Sequence, residues 1–210
     1  MKFCRFKKFI CRLCLFTLLF CFILMESAEG KETVVKAGDS LSDISLSCLF
    51  SQEDKQYLGF SNRKTYSLSC IRSEFVLVIC FSIYCPVCQS HADKFNRLYR
   101  LIQEDNFIKR NLKIIGIGLG NNKKEVDYFK EYYNIPYPLV PDPEYRIHKA
   151  FKETRTPLII IVDKRKNPHR ISCVLDFNKE PETLLEVIKK EIRKNTSQPH
   201  SNFPYLHFYL

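Results

Sequence analysis

The sequence predicts an α/β domain: a mixed β-sheet flanked by helices on both faces. Three observations carry that expectation. Three apolar runs, Phe75–Ser82, Lys113–Leu119 and Leu158–Asp163, have the β-branched and aromatic content of buried strands. Between them lie segments whose apolar residues recur at helical spacing. A short turn, Lys164–Asn167, then folds the third run into Ile171–Leu175, so at least one neighbour in the sheet is a hairpin partner.

In chain order, the amino terminus reads as an address. A basic stretch, Met1–Arg12, precedes a thirteen-residue apolar run, Leu13–Met25, and Ala28-Glu29-Gly30 roughly fits a cleavage site. The run falls short of the ~20 residues that span a bilayer. A cleaved export signal over residues 1–30 is therefore expected. Counting back to Phe9 lengthens the run across Arg12, which leaves a membrane anchor open. Residues 31–72 are polar and irregular, with Lys64–Leu68 a candidate edge strand.

From Pro86 to Gln103, Cys88, Ala92, Phe95, Leu98, Tyr99 and Ile102 mark one face of a helix, and Pro86 suits its first position. Asn121-Asn122 signals a second helix running to about Tyr133, burying Val126, Phe129 and Tyr132 or Tyr133. Pro136, Pro138, Pro141 and Pro143 punctuate the next stretch of chain, and Asp142-Pro143 starts a short helix carrying Ile147, Ala150 and Phe151. Glu180-Pro181-Glu182 opens a last helix with Leu184, Leu185, Val187, Ile188 and Ile192 inward. Residues 31–194 thus make one domain and 195–210 a flexible tail.

The formal net charge is +10. Lys2, Arg5, Lys7, Lys8 and Arg12 against Glu26 and Glu29 put +3 of it before residue 31, leaving +7. Those charges alternate in sign along helices, as in Lys123-Lys124-Glu125, which describes a solvated surface and not a nucleic-acid face. Of the ten cysteines, Cys4, Cys11, Cys14 and Cys21 belong to the leader, leaving Cys48, Cys70, Cys80, Cys85, Cys88 and Cys173.

Cys85-Pro86-Val87-Cys88 comes directly after the first buried run and opens the first helix. Two thiols one turn apart at a helix start can close a disulfide without moving the backbone. The first of them sits where unpaired N–H groups stabilise a thiolate. The same spacing supplies half of many zinc sites, but no other C-x-x-C and no suitably spaced His pair follow it in the chain. The pattern points to redox chemistry. Gly116-x-Gly118-x-Gly120 misses the phosphate-loop register at Asn121 and reads as close packing at a strand end. Asn195-Thr196-Ser197 matches a glycosylation acceptor, which matters only in a eukaryotic secretory route.

The element order, Cys85-Pro86-Val87-Cys88 and Thr156-Pro157 before a strand resemble the thioredoxin fold. Within it, residues 36–194 resemble the TlpA/ResA-like exported thiol–disulfide oxidoreductases, which border the peroxiredoxin-like redoxins. The Ala37-Gly38-Asp39 lead-in and the insertion before Pro157 suit that branch. The resemblance implies that Cys85 attacks, that buried Cys88 resolves, and that Pro157 is cis beside them. Tyr84, Pro86 and Thr156 would face the substrate, with the Thr156 backbone pairing to an extended segment.

It further implies no cofactor and no resident metal. The partners would be a protein disulfide, such as an apocytochrome haem site, and a membrane or soluble thiol reductant, with bacterial periplasm as the location. Departures are visible. Tyr84 stands where relatives often have Trp, and Ile79 where thioredoxins bury an Asp. A substitute base is wanted, and His91 has the place for it, against the plainer reading of a solvent-facing histidine. Two alternatives are an SCO-like copper metallochaperone using His148, and a peroxidase with Ser82 in place of a Thr.

Overall fold

A computed structural model describes residues 34–46, 50–61, 65–152 and 155–196. The apolar run before Met25, Cys48, and the tail from residue 197 lie outside the described residues. No described helix is long and apolar enough to cross a membrane.

Strands β1 (Ser40–Leu41), β2 (Phe75–Phe81), β3 (Leu112–Leu119), β4 (Leu139–Asp142), β5 (Leu158–Asp163) and β6 (His169–Leu175) form one sheet ordered β1-β6-β5-β2-β3-β4. The pairs β2/β3 and β3/β4 are parallel, whereas β2/β5, β5/β6 and β6/β1 are antiparallel. The helices are α1 (Gln52–Leu58), α2 (Pro86–Ser90), α3 (Ala92–Glu104), α4 (Asn106–Asn111), α5 (Lys123–Tyr132), α6 (Arg146–Ala150) and α7 (Pro181–Thr196).

The period-2 pleat divides each buried strand between two cores. Phe75, Leu77, Ile79 and Phe81 of β2 join Ile159 and Ile161 of β5 under α3, α5 and α7. Val76, Val78 and Cys80 join Ile160 and Val162 on the other face, covered by Leu41, Leu58 of α1 and Ile147 of α6. A strand buried on both sides has no polar positions to alternate. That is why these segments read as continuous apolar runs. Helix α7 runs beside α3 in the same direction, with ion pairs Lys94–Glu180 at 3.3 Å and Lys189–Asp105 at 3.3 Å.

Several expectations need correction. The helix expected over Pro86–Gln103 is broken at His91 (φ −100°, ψ 0°), which ends α2 and begins α3. The stretch treated as punctuated by prolines contains β4, which tolerates Pro141 because an edge strand can forgo an N–H. Ser67 makes a single bridge to Ser45 where an edge strand was expected. Val187 and Ala150 face outward, and Tyr132 is exposed, while Tyr133 packs on the core. Helix α7 continues to Thr196, two residues into the segment read as tail. The glycine run packs as expected: a Cβ on Gly118 would come within 2.8 Å of Val126, and Gly120 has φ +69° against Tyr145.

Candidate functional site

The buried strand β2 delivers Ser82–Cys85 to one end of the sheet. Cys85 caps α2: its backbone is extended and its Sγ accepts from the Cys88 amide at 3.2 Å. Pro86, at the first helical position, has no N–H to leave unsatisfied. The three-residue spacing places Cys88 one turn deeper, 1 % exposed among Ile79, Phe81 and Phe95.

Thr156 comes from the loop before β5, and the Thr156–Pro157 bond is cis. The Thr156 carbonyl lies 3.6 Å from Cys85 Sγ. Cys85, Cys88, Thr156 and Pro157 are therefore brought together. Pro86, Val87 and Tyr84 stand exposed around the half-buried Cys85 sulfur.

The two sulfurs are electrostatically unequal. Burial pushes the Cys85 thiol up, but hydrogen bonds from Cys88, from the Thr156 side chain and from the Val87 backbone outweigh it and hold Cys85 below its ordinary value. Burial, reinforced by the hydrogen bond to Cys85, pushes Cys88 up to about 12. One sulfur is poised as the anion, and its partner keeps its proton.

His91 does not hydrogen-bond to Cys88 among the described contacts. Its Nδ1 lies 2.9 Å from the Val87 carbonyl and 3.1 Å from Ser90 Oγ, and its ring meets Phe177 edge-on at 5.6 Å. A carbonyl only accepts, so Nδ1 carries the hydrogen and Nε2 is the basic nitrogen of the neutral ring. His148 sits elsewhere, in α6, with its ring 5.6 Å from that of Tyr145. Among the described residues no group of three or more His, Cys, Asp or Glu could hold a metal. Cys80 is fully buried, and burial raises its thiol. Cys173 is half-buried, and Cys70 Sγ lies 3.5 Å from Ser67 Oγ.

Two positioning residues were given no role at the site by the sequence. Asn121, fully buried, accepts from Ile83 N at 3.0 Å and so holds the loop that presents Cys85. Glu125 accepts from Tyr84 Oη at 2.5 Å and from Asn122 N at 2.7 Å, completing a capping box on α5. The Asn122-x-x-Glu125 spacing announces that box, though not its reach to Tyr84. Replacing Asn121 by alanine leaves the Ile83 N–H without its acceptor. This should cost about 2 kcal/mol, seen as an earlier urea midpoint at unchanged slope. An unshifted midpoint would show that the loop is held by other contacts.

The profile of the AhpC/TSA family matches residues 38–179. The chain belongs to the AhpC/TSA family. It is similar to thiol-disulfide oxidoreductase ResA of Geobacillus thermodenitrificans (strain NG80-2), 23% identical over 159 residues, spanning 76% of this chain and 82% of the relative. Among solved structures, a DsbF homologue from Corynebacterium diphtheriae superposes with TM-score 0.54 at 19% identity, covering 79% of this chain and 96% of its own. Peroxidoxin BcpB from Mycobacterium tuberculosis superposes at 0.53 and 17%, covering 76% and 97%. The AhpC/TSA chain thus has the thioredoxin-like α/β fold expected for it, and these structures share that fold.

Proposed function

We propose that the chain is a thiol–disulfide oxidoreductase that exchanges a Cys85–Cys88 dithiol for a disulfide in a protein substrate. The observation that carries this reading is the inequality of the two sulfurs, a stabilised Cys85 beside a protonated, buried Cys88. The Cys85 thiolate attacks one sulfur of the substrate disulfide and the other substrate sulfur leaves as a thiolate. Cys88 then loses its proton and attacks Cys85 Sγ. The bond between Cys85 and the substrate breaks, and both substrate thiols depart reduced by two electrons. The resulting Cys85–Cys88 disulfide needs a thiol reductant, membrane-bound or soluble, to return. Tyr84, Pro86 and the Thr156 backbone line the approach, so an extended segment is the natural form of the substrate.

Export to the bacterial periplasm, soluble or anchored, and work as a reductant more than as an oxidant are inferred from the leader and from the ResA-like resemblance. The test is insulin reduction by the purified chain, run beside peroxide consumption and Cu(I) titration. Insulin turnover supports the reading. Peroxide turnover without it would favour the peroxidase alternative, for which the peroxidoxin BcpB neighbour is the specific support. Stoichiometric copper without either would favour the metallochaperone.

His91 is the proposed base for the Cys88 proton, through Nε2. His91→Ala should shift the Cys88 pKa measured by thiolate absorbance. An unchanged value removes the role.

A further inference from the structure

At the end of the sheet opposite Cys85 a cavity opens, of about 610 Å³. The seven residues of β2 separate it from the sulfurs by roughly 20 Å or more. It is lined by the residues that enter β2 (Ser73, Glu74), precede β3 (Arg110) and succeed β5 (Lys164, Arg165), together with Arg72. Four cations therefore face one carboxylate. Arg165 is spent locally: it holds Asp163 at 2.8 Å and lies 3.7 Å from Glu74.

Lys164 differs. Its ammonium donates to the Ser69 and Ile71 carbonyls, and no described carboxylate lies within ion-pair distance of it. Arg72 and Arg110 likewise form no ion pair among the described residues, and Arg110 Nε donates only to the Asn106 carbonyl. Burial, partly opposed by Asp43 and Cys70, pushes Lys164 down to about 8, as expected of a cation removed from water whose nearby carboxylate, Asp43, stays beyond ion-pair distance. A desolvated lysine whose direct hydrogen bonds all go to carbonyl oxygens leaves positive potential in the cavity it lines. Guanidinium forks on the same wall suit the tetrahedral oxygens of phosphate.

We propose that this cavity binds a phosphate group, carried by a small molecule or as the free ion, with Lys164 as its central contact and Arg72 and Arg110 as flanking ones. The volume fits a ligand larger than the ion alone. The site lies outside the redox centre, so its fate is independent of the thiol chemistry.

The test uses the purified chain titrated with inorganic phosphate and with glycerol 3-phosphate, by calorimetry and thermal melting, against chloride at matched ionic strength. Saturable binding and a melting shift beyond chloride are expected. Lys164→Gln should weaken binding at least tenfold, Arg110→Gln should weaken it less, and Lys164→Arg should retain it. Arg110→Gln, at an exposed position, should also leave insulin turnover unchanged and keeps the test decisive if Lys164→Gln fails to fold. Tighter binding of the ester assigns the site to an organic phosphate, and tighter binding of the ion assigns it to free phosphate. Phosphate acting no more strongly than chloride, or Arg110→Gln and Lys164→Gln binding like wild type, would overturn the proposal.

Discussion

Cys85→Ser is expected to abolish insulin reduction, a loss of about three orders of magnitude or more, while Cys173→Ser leaves turnover unchanged. A serine hydroxyl is not ionised near neutrality and cannot form the mixed disulfide, so the first bond of the cycle is never made. The hydrogen bonds that lower Cys85 have no reactive group left to act upon. Cys88→Ser should fail differently. Cys85 still attacks, but nothing displaces the substrate, and a covalent adduct accumulates that dithiothreitol releases. That adduct is also the way to identify clients, since it holds the partner by a bond that survives denaturing purification. Turnover persisting in Cys85→Ser, or falling with Cys173→Ser, would move the chemistry to another sulfur.

Much of this site was legible in the sequence because it is local. Cys85 and Cys88 lie on one helical turn, and the apolar run before them can only be a strand buried on both faces. Thr156-Pro157 could be read by resemblance, although no local physics brings it to Cys85 from 71 positions away. The Tyr84–Glu125 and Ile83–Asn121 contacts were illegible for the same reason: they span 41 and 38 positions and exist only once β2 and β3 pair in register. Helix α4 was missed because Ile108 is its only buried residue, leaving no periodicity to see. Its Asp105 cap, accepting from Phe107 N and Ile108 N, was the available signal. Strand β4 hid behind its prolines. The break at His91 had no sequence signature, since apolar spacing continues through it from Cys88 to Phe95.

The inequality of the sulfurs has a second large consequence. In the reduced chain at pH 8, iodoacetamide should modify Cys85 and leave Cys88 untouched. With Cys88 near 12 its thiolate fraction at pH 8 is about one part in ten thousand. Cys85, held below its ordinary value, carries by far the larger thiolate fraction of the two sulfurs. The direction of each shift sets the sign. Because Cys85 is lowered, its reactivity should persist to lower pH than that of an ordinary thiol and vanish only as the pH falls through the lowered value. The stability that its thiolate lends the reduced fold is lost over the same range. Because Cys88 is raised, its contribution is present below the ordinary thiol value and is lost as the pH climbs toward about 12.

The reduction potential must register the same two steps. Each proton taken up with the two electrons contributes about 30 mV per pH unit, so the slope is about 60 mV per unit below the Cys85 value and about 30 above it. Equal alkylation of both sulfurs would mean that the pair shares its charge evenly, and a single slope across the neutral and alkaline range would mean that neither sulfur ionises there. In either case the attack by Cys85 and the resolution by Cys88 could not be assigned to separate atoms.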